Sequence, residues 1–174
     1  MIPRPQSDEY APFYDGYVQH VPPDANITVL LRTQPDELRA LVAHLPDEQA
    51  NQRPAPGEWS VKEVIGHIND TERIFAYRAL RVARGDTTPL PGFEQNDYVP
   101  ATHFNARSLA NLVDEFDAQR RANVLCFEPL SETELARRGT ASDNPVSARA
   151  LLYIMAGHVA HHLYSLRTSY GVGG

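Results

Sequence analysis

The chain has 174 residues, 42% of them hydrophobic, with 16 basic against 22 acidic side chains and a formal charge of −6. That length suffices for one domain, 1–174, with a real buried core, and the acidic balance without a basic run excludes a phosphate-backbone binder. No run approaches the roughly 18 consecutive apolar residues of a membrane span, and the single cysteine, Cys126, excludes an internal disulfide.

Residues 1–24 carry Tyr10, Phe13, Tyr14 and Tyr17 among Pro3, Pro5, Pro12, Pro22 and Pro23, which predicts an extended arm anchored by its rings. The opening MIPRPQSDEY lacks the apolar core of a signal peptide, so a cytoplasmic location is expected. A first helix is predicted over about 25–45, with Pro35 expected to kink or split it. A proline-rich loop over 46–59 ends at the only tryptophan, Trp59. Ser60 and Glu63 then form a capping-box pattern opening a second helix that runs to about Arg84, before Gly85. The 85–105 stretch, rich in proline and glycine, reads as a long loop. A third helix is predicted over about 106–128, a short helical turn near 131–137, and a last helix over about 146–170. No segment alternates as a strand, so the expectation is all-α: a four-helix bundle over 25–170.

The run GHVAHH places three of the seven histidines within five positions. At about 100° per residue, His158 and His162 fall inside the apolar stripe of Leu151, Met155, Val159 and Leu166, whereas His161 lies at its margin. Two imidazoles at i and i+4 facing a core need partners for their nitrogens. A shared metal supplies them, and so would hydrogen bonds across the bundle. Of the remaining histidines, His44 falls near the end of the first helix, and only His67 lies well within a long one. It sits roughly 100° from the Val61–Ile65–Ile68–Phe75 stripe, so periodicity permits it as a third ligand without requiring it. Glu72 and Arg120 occupy the centres of apolar faces on the second and third helices, which predicts a buried pair; otherwise Glu72 would stand behind the ligands as a supporting acid or base.

The stretches WSVKEVIGHINDTERIFAYRALRVARGDTTPLPGFEQNDYV and GTASDNPVSARALLYIMAGHVAHHLYSLR resemble the DinB-like superfamily, in its branch of metal-dependent hydrolases that includes YfiT-type proteins. The resemblance extends over essentially the whole chain. It implies a four-helix bundle whose mouth holds one divalent metal on three histidines, here His67, His158 and His162. It implies that His161 is a neighbour of the site and not a ligand. The metal expected is zinc or nickel, with manganese and iron as alternatives.

Three imidazoles with open coordination positions suit a catalytic ion. The resemblance implies a transferase that uses a low-molecular-weight thiol such as bacillithiol, mycothiol or glutathione, or a hydrolase, in stress or detoxification. Phe93, Gln95, Asn96 and Tyr98 of the long loop are expected to wall the mouth for a small-molecule substrate. The rival reading is a non-catalytic metal-holding or dimeric interaction protein. Apolar residues on the helix backs, Tyr77 and Leu80, are compatible with a homodimer.

Overall fold

In the computed structural model, which describes residues 2–173, four long helices carry the fold. Two 3₁₀ turns, Ser7–Glu9 and Pro12–Tyr14, lead into the short helix α1 (Asp15–Gln19), followed by α2 (Ile27–Val42) and the single turn α3 (Asp47–Ala50). Next come α4 (Val61–Ala83), α5 (Gln95–Tyr98), two further 3₁₀ turns, and α6 (Leu109–Phe127). After α7 (Glu132–Leu135), strands β1 (Arg138–Ala141) and β2 (Asn144–Ser147) pair antiparallel and lead into α8 (Ala148–Thr168). Both α2 and α4 pack on α6 and α8, so α2 and α4 sit diagonally across a ring ordered α2–α6–α4–α8.

Three expectations need correction. The first 24 residues are not an extended arm: α1 packs directly along α8, and Tyr17 reaches the bundle interior. The hairpin was not anticipated, because its two four-residue strands show no alternation of buried and exposed positions. Its turn uses Ser142 and Asp143, both at positive φ, where Asn-Gly would be the usual signal. Finally, α2 is not split at Pro35 but continues through it as one helix. Proline lacks the N–H that would donate to the carbonyl of residue i−4. That carbonyl, on Leu31, instead accepts from Arg120 Nη1 at 3.4 Å.

Arg120 belongs to a polar layer that divides the core. On one side lie Leu31, Phe75, Val124, Leu151 and Met155; on the other lie Leu38, Ile68, Phe116, Val159 and Leu163. Between them Arg120 Nε and Nη2 donate to Glu72 Oε1 and Oε2, both at 2.8 Å, and Nη1 donates to Gln34 Oε1 at 2.7 Å. Gln34 Nε2 donates to the Ala156 carbonyl at 2.7 Å, and Asn123 Nδ2 to Glu72 Oε1 at 2.8 Å. One network thus joins α2, α4, α6 and α8, with Arg120 and Glu72 only 1% and 2% exposed.

A second buried acid fixes the N-terminal segment. Glu9 accepts from Ser147 Oγ at 2.6 Å and from Arg149 Nε at 2.7 Å, and its other oxygen meets Arg149 Nη2 and the Gln6 N–H. Ser147 is also the N-cap of α8, accepting from the Ala150 N–H at 3.0 Å, so the segment is tied to the start of the helix that carries GHVAHH. Burial by itself would raise the Glu9 pKa, but these donors and the Arg149 charge outweigh it and lower it to about 2.

Replacing Arg120 by methionine leaves Glu72 buried without its counter-ion and should cost about 3–5 kcal/mol, read as a lower urea midpoint. Glu9 binds its proton less readily when folded than when unfolded. Its contribution is therefore complete above the unfolded value near 4.5 and disappears as pH falls from there through about 2. The stability gap between wild type and Glu9→Gln should accordingly be widest above pH 5 and narrow steadily towards pH 3 in urea titrations.

Candidate metal centre

The capping box predicted for the second helix is present: Ser60 Oγ accepts from the Glu63 N–H at 3.1 Å, and Glu63 Oε2 accepts from the Ser60 N–H at 2.8 Å. Arg53 and Asn105 also donate to Glu63 Oε1, which locks the start of α4 to the loops around it. His67 is thereby held two turns into a fixed helix, with the Trp59 ring centred 5.0 Å from its own. His158 and His162 follow one another on α8, one turn apart.

Two glycines let neighbouring segments close over these histidines. Gly157 precedes His158, and a methyl there would overlap the Tyr17 carbonyl. Gly66 precedes His67, and a methyl there would strike the Phe104 ring. The close approach of α1 sets the Tyr17 ring edge-on to His158, 5.2 Å between centroids. Phe75 stands edge-on to the same imidazole at 5.9 Å.

The three imidazoles converge through Nε2. His67 and His162 lie 2.9 and 3.1 Å from His158 Nε2, and the candidate donor atoms all fall within 4.8 Å of one another. His67 and His158 are buried and His162 is partly exposed. Burial, reinforced by mutual repulsion, lowers all three pKa values: His67 to about 4, and His158 and His162 well below the ordinary range. The rings are therefore neutral near pH 7. The Thr71 hydroxyl donates to the His67 carbonyl at 2.5 Å, leaving its oxygen to face His158 Nδ1 at 3.5 Å. A proton held on that Nδ1 leaves the His158 Nε2 lone pair aimed at the other two rings.

Three nitrogens around one point cannot satisfy each other, since a single lone pair accepts a single proton. A shared cation satisfies all three at once. Nitrogens bound at about 2.0–2.1 Å to one ion lie about 3.0–3.4 Å apart, close to the spacings seen for His158 with each neighbour. The donor set therefore fits a divalent ion that accepts imidazole.

The other candidate residues fall in different places. His161 turns outward, its Nδ1 3.3 Å from His20 Nε2 and its ring against Tyr17. Glu72 is fully engaged by Arg120 and Asn123. A cavity of about 350 Å³ reaches His158 between the N-terminal segment and the long loop. Phe93 and Gln95 line it, whereas Tyr98 lines an adjoining groove and Asn96 is exposed at the start of α5. Sequence reasoning missed Phe13, Tyr14 and Tyr17 as wall residues, and also Thr71, Phe75 and Ser142. The aromatic spacing in the N-terminal segment was the available signal, but nothing local showed which surface the rings would cover.

Comparison with known proteins accords with this architecture. The family model of the DinB superfamily matches residues 30–166. The chain belongs to the DinB superfamily. Within known folds it resembles YfiT from Bacillus subtilis, described as a probable metal-dependent hydrolase with an unusual four-helix bundle topology. The TM-score is 0.68 at 15% identity, covering 96% of this chain and 93% of that one. It also resembles a mycothiol-dependent maleylpyruvate isomerase, with a TM-score of 0.66 at 13% identity over 82% of this chain and 61% of the other. A protein of Geobacillus thermodenitrificans, named provisionally as a metal-dependent hydrolase, is 34% identical over 79 residues, 45% of this chain and 43% of its own length. An uncharacterised Mycobacterium tuberculosis protein is 51% identical over 45 residues, 25% of this chain and 17% of its own. The matched stretches thus span less than half of each of these sequence relatives. Among the described residues no helix is long and apolar enough to cross a membrane.

Gly157→Ala should push α1 away from α8 and open the site. The expected result is a lower melting temperature together with faster proteolytic cleavage within residues 10–20; a variant indistinguishable from wild type on both counts would contradict the close packing described.

Proposed function

We propose that this chain is a metal-dependent enzyme that binds one divalent ion, zinc or nickel, on His67, His158 and His162. In this reading it transfers a low-molecular-weight thiol to an electrophilic small molecule. The observation that carries the reading is the convergence of three neutral imidazoles, two buried and one partly exposed, at the end of a cavity whose lining contains no Asp or Glu. When bound, the ion would supply Lewis acidity that favours the deprotonated, nucleophilic form of a thiol or of water.

The chain's own residues bind, orient and keep water out. Tyr17 and Phe75 flank His158, while Phe13, Tyr14 and Phe93 extend an aromatic wall suited to a flat apolar body. Thr71 fixes the orientation of His158 through the long contact to Nδ1. Hydrolysis is the second reading, favoured by the descriptions of YfiT and the Geobacillus relative. It calls for a group that takes the proton from water, a task most often given to His or a carboxylate. Here neither carboxylate flanking Thr71 lines the cavity that reaches His158: Glu72 is held by Arg120, and Asp70 lies among the charges of Arg73, Glu115 and Arg107. A thiol is far more acidic than water and needs less help, which is why thiol transfer is preferred.

Elemental analysis should find about one metal per wild-type chain and almost none in His67→Ala or His162→Ala, with most retained in His161→Ala. Full retention in the His67 variant would refute the three-histidine site. Metal-loaded protein should then conjugate bacillithiol, mycothiol or glutathione to a chlorinated aromatic electrophile. Ester cleavage without any thiol would replace transfer by hydrolysis, and no turnover on either panel would point to a non-catalytic metal-holding or interaction protein.

A further inference from the structure

We propose that Arg78, acting with Ser142 and Tyr14, is the recognition site for a carboxylate on a flat, apolar small molecule whose reacting end faces His158. The proposal rests on the enzymatic reading above and names the substrate class.

Three cations are buried among the described residues: Lys62, Arg78 and Arg120. Lys62 pairs with Asp47 and Arg120 with Glu72. Arg78, 2% exposed, meets only neutral acceptors. Its Nη2 donates to the Pro91 carbonyl at 2.6 Å and to Ser142 Oγ at 3.2 Å, and its Nη1 to the Tyr14 hydroxyl at 3.5 Å. Its guanidinium also lies 5.5 Å from the centre of the Phe93 ring. A buried charge is ordinarily matched by an opposite one, so a cation held by neutral oxygens retains a strong preference for an anion.

The position of this cation makes the preference usable. Arg78 is eleven residues after His67 on α4. At 3.6 residues per turn it shares the helix face that carries His67 and Thr71, about 16 Å further along from His67 and about 10 Å from Thr71. The cavity that reaches His158 is lined by Tyr14, Phe93 and Ser142, the neighbours of Arg78, while Arg78 itself borders the adjoining groove that shares Gly92 and Phe93 with it. Both hydroxyls accept from Arg78, so their own protons remain free to be donated into the cavity, with the positive charge directly behind them. A carboxylate there would take two hydroxyl donors backed by a guanidinium. The apolar body would lie along Phe75, and the far end would reach the histidines.

The hairpin turn adds an independent observation. Ser142 and Asp143 hold φ of 52° and 61°, a left-handed conformation that glycine adopts at less cost. Glycine in place of Ser142 would relieve that strain but leave no hydroxyl at the cavity wall. The Ser142 N–H is held by the Leu90 carbonyl at 3.0 Å, and Leu90 in turn donates to the Thr140 carbonyl, so the long loop pins the turn against Arg78. Strain maintained at a cavity wall points to use of the side chain.

The test is calorimetric titration of the metal-loaded full chain with 3-phenylpropionate and with its uncharged isostere, 3-phenylpropionamide. The carboxylate should bind about tenfold or more tightly, the scale of hydrogen bonds to a charged group. Arg78→Met and Ser142→Ala should each abolish that preference while metal content stays at wild-type level; the serine variant settles the matter should the arginine variant fail to fold. Equal binding of both ligands by wild type would overturn the proposal. So would a preference that survives in Arg78→Met but vanishes in metal-depleted His162→Ala, which would place the carboxylate on the ion. Failure of the metal reading shows separately, as wild-type protein without stoichiometric metal that still distinguishes acid from amide.

Discussion

The buried pair of Arg120 and Glu72 is the constraint around which the bundle is arranged. An ionised carboxylate and a guanidinium in an apolar interior are tolerable only when every lone pair and N–H is matched. Matching them requires Gln34 on α2, Asn123 on α6, the Ala156 carbonyl on α8 and the Leu31 carbonyl freed by Pro35. A one-turn slip of any of the four helices would part at least one of these donors from its acceptor, so the polar layer constrains the packing more tightly than non-directional apolar contact does. The layer also passes close to the three histidines. Ala156 and Gly157 immediately precede His158, and Thr71 immediately precedes Glu72.

That arrangement gives each letter of the W-S-x-x-E-x-x-x-H stretch its own physical role. Ser60 and Glu63 cap the helix, Trp59 packs at a tilt against the imidazole, and His67 alone reaches the cluster. In the second motif the glycine matters as much as the histidines, because Gly157 lets the Tyr17 backbone lie against α8. The N-terminal segment, tied down through Glu9 and Arg149, completes the wall on that side. The site is therefore assembled from the beginning, middle and end of the chain. Its neutral, desolvated nitrogens are a consequence of that enclosure.

Much of this architecture could be read locally. The Ser60 box, the helical periods of α4, α6 and α8, and the inward pairing of His158 and His162 at i and i+4 depend only on short-range geometry. The charged residues at the centres of two apolar faces announced a buried pair, since two isolated charges there would be untenable. Less legible were the short helix α1 and the hairpin, whose stability comes from contact with α4 and α8 and not from their own sequences. Pro35 shows the same limit. Its local effect is to break a helix, and only a guanidinium from another helix made the break unnecessary.

The sequence by itself determined where the four long helices would lie, which of their faces would be apolar, and that two histidines of GHVAHH would point inward while the third would not. These are properties of a chain's own repeat, set by side-chain spacing over a few turns. Tertiary structure decided how closely His67 would approach them, which aromatic rings would enclose them, and that Arg78 would be buried without a carboxylate beside it. Those outcomes depend on contacts between segments far apart in the chain, where packing and charge compensation, not periodicity, select the partner.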